Sequence, residues 1–183
     1  MNLQAIIALD RNVSKSLRVQ PEKRWLWNLT AFLAHSGDSW FWLAALFVIW
    51  LFTFTRKAWH VKTALMATGI LVLAVLVLAI KFSVRRSRPP GEWGAIYRNT
   101  DPHSFPSGHA ARAAMLAVLA LGLGPVWFAI LILIWVPLVS LARIAMGLHY
   151  LSDVLAGLIL GVMAGLVIQQ ISPLLIAFFP FLY

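Results

Sequence analysis

The sequence predicts an all-α, polytopic transmembrane bundle of about five spanning helices, preceded by an amphipathic helix lying in the membrane interface. Three observations carry that expectation. Of the 183 residues, 61% are hydrophobic and only 11% are charged, about half the charge of an ordinary soluble domain. Four stretches, 39–55, 63–80, 113–142 and 154–183, hold no charge at all and reach or exceed the roughly 17 residues that are the lower limit of a span. The charges that remain are grouped at the ends of these stretches.

Taken in order, residues 1–20 place Leu3, Ile6, Ile7, Val13 and Leu17 at roughly helical spacing with Lys and Arg between them, the pattern of a helix lying in the interface. The run LQAIIAL is short and leads straight into Asp10, Arg11 and Lys15, so it is not read as a cleaved signal. Trp25, Trp27, Trp40, Trp42 and Trp50 surround the first span, where the outer ones suit an aromatic belt. The stretches 39–55 and 63–80 each supply one helix. The stretch 113–142 supplies two, broken at Gly122, Gly124 and Pro125. The last supplies one, with Pro173 and Pro180 interrupting a short apolar tail. The whole, 1–183, reads as a single membrane-embedded domain with an interfacial segment at 1–36.

Cysteine is absent, which excludes disulfides, thiolate catalysis and zinc–thiolate sites. The excess of 15 Lys and Arg over 6 Asp and Glu suits an anionic bilayer surface or an anionic substrate. Nucleic acid is not an expected partner, because the basic residues lie in loops between spans and form no nucleic-acid motif.

A charge at the edge of a membrane segment costs several kcal/mol unless it has a partner or faces water. Three clusters stand at such edges: Lys81, Arg85, Arg86 and Arg88; His103, His109 and Arg112; and Arg143, His149 and Asp153. Counting spans puts all three on one side of the membrane. Lys81 and Arg88, seven residues apart, share a face if the second helix runs on to Pro89. His149 and Asp153, four apart, can hydrogen-bond along a helix, which would set the imidazole's tautomer and stabilise its cation.

Taken singly, these residues have plainer explanations: Lys81 and Arg88 as snorkelling cations, His149 as a helix-end histidine, Asp153 as a capping acid. Arg85, Arg86 and Arg98 read as headgroup or solvated charges. His35, Asp38, His60 and His103 read as structural, and Glu92 and Asp101 as residues of a Gly- and Pro-rich loop. Together, three cations, two histidines and one acid on one face suit a phosphate, which needs charge-assisted donors, a nucleophile and an acid. A metal site would need more carboxylates or histidines close together, so neither metal nor cofactor is expected.

These clusters resemble the phosphatidic acid phosphatase type 2 superfamily of integral membrane lipid phosphatases. The family's Lys-x6-Arg-Pro is matched by KFSVRRSRP at 81–89, its Pro-Ser-Gly-His by PSGH at 106–109, and its Ser-Arg-x5-His-x3-Asp by ARIAMGLHYLSD at 142–153, with Ala142 in place of the serine. The matched core, 81–153, is about two fifths of the chain.

The resemblance implies that His149 attacks phosphorus to give a phosphohistidine while Asp153 holds its other ring nitrogen. It implies that His109 protonates the leaving oxygen and then activates water. Lys81, Arg88 and Arg143 would hold the non-bridging oxygens, and Ser107 with the backbone N–H of Gly108 or His109 would add donors at a helix N-terminus. No metal is implied.

The implied partner is a lipid phosphate in the bilayer: undecaprenyl pyrophosphate or another polyprenyl phosphate, phosphatidylglycerophosphate, phosphatidic acid or a lipid A phosphate. The loop 90–105 is the expected specificity element, and a bacterial or archaeal inner membrane the expected location. The rival expectation is a non-catalytic phospholipid-binding or lipid-translocating protein. Positive charge favours a cytoplasmic active site, but Lys81, Arg88 and Arg143 are already explained by chemistry, so the sequence leaves the membrane face open, and the oligomeric state with it.

Overall fold

Seven helices make up the regular structure of a computed structural model that describes residues 2–91 and 101–183. They are α1 (Leu3–Ser16), α2 (Arg24–His35), α3 (Ser39–Phe52), α4 (Lys57–Val84), α5 (Gly108–Leu123), α6 (Val126–Ala145) and α7 (Leu151–Phe178). The all-α expectation holds, and α1 forms where the amphipathic pattern placed it. Glu92, Arg98 and most of the loop expected to set specificity lie outside the described residues.

Helices α3 through α7 form where the five spans are expected, but among the described residues only three helices, or four if a bent pair counts as one, are long and apolar enough to cross a membrane. By length and composition α4, α6 and α7 suffice to cross a membrane, and α2 with α3, bent by 60° at Ser36 to Asp38, makes a fourth if the pair is one broken span rather than a re-entrant loop. With 16 residues, α5 is about 24 Å long, short of the ~30 Å hydrocarbon core. It is tolerated because Ala110 to Ala120 are almost entirely buried among the other helices and its first turn begins in a polar site.

Two proline expectations need correction. Helix α4 does not run on to Pro89: Arg85 adopts a left-handed conformation (φ 52°) and its N–H returns to Lys81 O at 2.9 Å, a C-terminal stop. Arg88 therefore reaches the site from an extended segment in which Ser87 pairs with His103. Conversely, α7 passes through Pro173 to Phe178. Proline at 173 strips the carbonyl of Gln169 of its helical donor, and the Ser172 hydroxyl donates to that carbonyl at 2.8 Å instead.

Helix α5 lies along α7, and three glycines four residues apart make the close approach possible. A Cβ on Gly157 would stand 2.5 Å from Ser107 O, one on Gly165 would stand 2.7 Å from Val118 Cβ, and one on Gly161 would fall inside the van der Waals surface of Ala111 O. The result is that α3, α5 and α7 begin, and α4 and α6 end, at one end of the bundle. At the other end His60 stacks on Trp50 at 4.5 Å and its Nδ1 lies 3.0 Å from Trp50 O.

Gly161→Val should push α5 from α7 and destabilise the protein by at least the ~1–3 kcal/mol typical of overpacking. Thermal unfolding in detergent, beside the lipid-facing control Met163→Val, checks it.

Candidate active site

The helix ends enclose a cavity of about 200 Å³. Its polar end is lined by Lys81, Gly108, His109, Arg112, Arg143 and His149, and its apolar end by Ile70, Leu73, Ala74 and Val77 of α4. Of the sequence-predicted residues, Lys81, Gly108, His109, Arg143 and His149 line it from segments that are distant in the chain, while Arg88, Ser107 and Asp153 stand behind its wall.

His149 sits in the turn between α6 and α7, which Gly147 makes possible with its φ of 67°, and it is 1% exposed. Its Nδ1 is 2.7 Å from Ser104 O. A carbonyl only accepts, so Nδ1 carries the hydrogen and the neutral ring keeps its lone pair on Nε2. That nitrogen faces Arg88 Nη1 at 3.4 Å and Arg143 Nη2 at 3.5 Å. Burial, reinforced by Arg143, Arg88 and Lys81, holds the imidazole pKa well below its ordinary value of 6.5.

Asp153 stands behind this ring rather than on it. Its Oδ2 is 3.8 Å from Nδ1, beyond hydrogen-bond range, and accepts the Tyr150 N–H at 2.9 Å as part of the α7 cap. Its Oδ1 accepts from Arg86 Nη1 at 2.6 Å. The expected direct hold on the second ring nitrogen is thus taken by a main-chain carbonyl, with the carboxylate at ion-pair distance.

Ser107 is the N-cap of α5, and its Oγ accepts the Ala110 N–H at 3.5 Å. The residue is fully buried and serves the helix rather than the cavity wall. Gly108 does line the cavity, and the first-turn N–H groups of Gly108 and His109 have no intrahelical acceptor, which is the usual basis of an anion site.

Asp101, read from the sequence as a loop residue, joins the cations. Its Oδ2 accepts from Arg88 Nη2 at 2.7 Å and pairs with Lys81 Nζ, while its carbonyl accepts from Arg88 Nε at 2.7 Å. Arg88 Nη1 also donates to Leu148 O at 2.9 Å, Lys81 to His103 O at 3.1 Å, and Arg143 to Ala34 O at 3.2 Å. A carboxylate bridging Lys81 and Arg88 occupies donors suited to the oxygens of a phosphate.

The α2–α3 bend, also read as structural, reaches the site. His109 Nε2 is 2.7 Å from Asp38 Oδ1, and His35 Nδ1 is 3.6 Å from the other oxygen. Arg112 donates to Gly37 O and to Ser39 Oγ on either side of Asp38.

Arg86, expected to face headgroups, instead ties α1 to α7. Its Nη2 pairs with Asp10 at 2.6 Å while Nη1 holds Asp153. Asp10 also accepts the Ser152 N–H at 3.0 Å and its hydroxyl at 2.6 Å, and Ser14 Oγ accepts the Leu151 N–H at 2.9 Å. Burial pushes the Asp10 carboxyl up, but these bonds from Ser152 and Arg86 outweigh it and hold the pKa below 3.8. The available sequence signal was that Asp10 is the sole acid among the first 20 residues, on an otherwise basic helix.

A family model described as the PAP2 superfamily matches residues 62–176. A decaprenylphosphoryl-5-phosphoribose phosphatase of Mycobacterium tuberculosis is 36% identical over 149 residues, covering 76% of this chain and 77% of that protein. An undecaprenyl-diphosphatase of Sulfolobus acidocaldarius is 32% identical over 143 residues, covering 73% and 64% respectively. Among solved structures, a transmembrane PAP2-type phosphatidylglycerolphosphate phosphatase from Bacillus subtilis is similar at a TM-score of 0.74 and 26% identity, over 92% of this chain and 87% of that one. LpxE of Aquifex aeolicus, at 22% identity, TM-score 0.64 and coverage of 90% and 94%, shares the fold.

The depressed pKa means that the neutral form of His149 persists as pH falls through 6.5. Its ¹⁵N spectrum at pH 6 should therefore show a neutral Nδ1–H ring, assigned by its loss in His149→Ala. The Asp10 carboxylate, with its lowered folded-state pKa, contributes stability above about pH 4 that is lost as pH falls below. Asp10→Asn should cost about 1–3 kcal/mol at pH 7 and much less near pH 3, read by thermal unfolding at the two pH values.

Proposed function

This chain belongs to the PAP2 superfamily, and from that membership we propose that it is a metal-independent membrane lipid phosphatase working through a phosphohistidine on His149. The observation that carries the reading is the buried, neutral His149, whose Nε2 lone pair faces two guanidiniums. A nucleophile has to be unprotonated, and the phosphoryl group it attacks needs cations on its oxygens.

In the first step Nε2 attacks phosphorus, the bond from phosphorus to the lipid oxygen breaks, and His109 gives that oxygen a proton. Lys81, Arg88 and Arg143 hold the non-bridging oxygens, the phosphate displacing Asp101 from Lys81 and Arg88. The phosphorylated ring is positive, and Asp153 at 3.8 Å offsets it. In the second step His109 takes a proton from water, water oxygen attacks phosphorus, and the bond to nitrogen breaks. Inorganic phosphate leaves and the lone pair returns to Nε2.

The apolar residues of α4 below Lys81 suit the lipid chain of a substrate whose phosphate stays at the helix ends. The relatives at 36% and 32% identity are named for decaprenylphosphoryl-5-phosphoribose and for undecaprenyl diphosphate, both polyprenyl-linked, which favours a polyprenyl-linked phosphate or pyrophosphate over phosphatidylglycerophosphate, phosphatidic acid and a lipid A phosphate. Ala142 does not weaken the reading. It is buried with Ala34, Met146 and Leu148 in an apolar cluster, so the missing hydroxyl takes no charge from the cavity. The protein is assigned to a bacterial or archaeal cell membrane.

Purified protein should release phosphate from a panel of these lipids, fastest from the polyprenyl members, at a rate unchanged by EDTA. His149→Ala should lower that rate at least about a thousandfold with its melting temperature preserved. Wild-type activity in that variant would overturn the phosphohistidine on His149, no release from any lipid by the wild type would point instead to a phospholipid-binding or translocating protein, and inhibition by EDTA would overturn the metal-free mechanism.

A further inference from the structure

We propose that Asp38 positions His109 by holding its Nε2–H, so that Nδ1 is the nitrogen presented to the substrate, and that Arg112 fixes Asp38 by clamping the bend on both sides of it. The inference rests on the reading of His109 as proton donor and names the group that makes it one.

The geometry comes from three directions. Asp38 Oδ1 lies 2.7 Å from His109 Nε2, and an ionised carboxylate only accepts, so Nε2 keeps a hydrogen in both protonation states of the ring. The ring's Cδ2, the neighbour of Nε2, packs on the bend: a Cβ at Gly37 would stand 2.9 Å from it. The side of the ring bearing Nδ1 therefore turns away from the bend, and His109 lines the cavity shared with His149. Arg112, one helical turn along α5, donates to Gly37 O and Ser39 Oγ, the residues flanking Asp38. The bend is held from its other side as well, where the indoles of Trp42 and Trp135 donate to Ser36 O at 3.0 Å and to Ser36 Oγ at 2.8 Å.

The two histidines have opposite tasks and opposite partners. The nucleophile must be neutral, and His149 Nδ1–H meets an uncharged carbonyl while cations surround the ring. The acid must carry a proton to the leaving oxygen, and His109 meets a carboxylate. The charged and titratable groups around His109 are Asp38 and His35 from the bend, Arg112 on its own helix and Arg143 from α6. Burial and two guanidiniums oppose a positive ring, and Asp38 is the acid that favours it.

In the cycle, the Nδ1 proton passes to the lipid oxygen as its bond to phosphorus breaks. The Nδ1 lone pair then takes a proton from the attacking water as the bond from phosphorus to His149 breaks. Asp38 keeps its charge throughout. Separated environments of this kind divide acid from nucleophile roles in other hydrolases.

The test uses full-length protein in detergent with Asp38→Asn, which keeps shape and removes charge, and Asp38→Glu, which keeps charge. Against the preferred lipid phosphate, Asp38→Asn is expected to lower kcat about 10²–10³-fold with KM little changed, to narrow the pH profile from its alkaline side, and to regain part of the rate as Asp38→Glu. A p-nitrophenyl phosphate ester needs no protonation of its leaving group. With it, Asp38→Asn should release about one nitrophenolate per enzyme in a burst and then turn over slowly, because only the water step still needs His109. Equal losses on both substrates, no burst and an unshifted profile would reduce Asp38 to a structural residue. Wild-type kinetics in Asp38→Asn would remove it altogether, while a dead His149→Ala control would leave the phosphatase reading standing. Independently of turnover, ¹⁵N spectra should show His109 with hydrogen on Nε2 in the wild type. Hydrogen on Nδ1 alone would overturn the proposal.

Discussion

Buried cations and the orphan carbonyls of helix ends satisfy one another, and the architecture is organised around that exchange. Lys81, Arg88, Arg112 and Arg143 are each less than 9% exposed, a burial that costs several kcal/mol per ion without partners. Helix C-termini bring carbonyls that lack intrahelical donors. Arg143 takes Ala34 O in the last turn of α2, Arg112 takes Gly37 O just beyond it, and Arg88 takes Leu148 O after α6. With no water in the hydrocarbon region, both sets of groups need each other. The α2–α3 bend supplies two of these acceptors, at Ala34 and Gly37.

That arrangement leaves a net positive cavity into which an anion fits, and Asp101 is the anion that the chain itself provides. Lys81 and Arg88 keep partners while the site holds no phosphate, so the cluster is not left with uncompensated charge. Substrate binding is then an exchange of one anion for another. Its cost is the loss of the Asp101 contacts rather than the desolvation of bare cations.

Rigidity behind the site comes from packing as much as from charge. Gly157, Gly161 and Gly165 let α7 approach α5 closely enough for the Ser107 N–H to reach Asp153 O at 2.9 Å, which joins the starts of the helices carrying His109 and Asp153. Helix α1 adds a second brace through Asp10, Ser14 and Arg86. An amphipathic helix otherwise suited to the interface thus caps the helix on which the proposed chemistry depends.

What was legible in the chain was whatever depends on local composition and on short spacing. Uncharged runs located the helices, since a span has to be apolar along its length. The segments at 81–89, 106–109 and 142–153 located Lys81, Arg88, His109, Arg143, His149 and Asp153, because each group lies within a dozen residues. Asp38, Asp101, Arg86 and Asp10 read as ordinary loop and surface charges. Apart from His35 beside Asp38, their side-chain partners lie 13 to 142 residues away, and nothing in a single sequence ties Asp38 to His109 across 71 positions. The sequence alone determined an apolar helical bundle with a phosphate-binding set of residues at one end. The tertiary structure alone decided which acid meets which histidine, because that depends on where a helix bends, where another stops at Arg85, and how closely glycines let two helices pack.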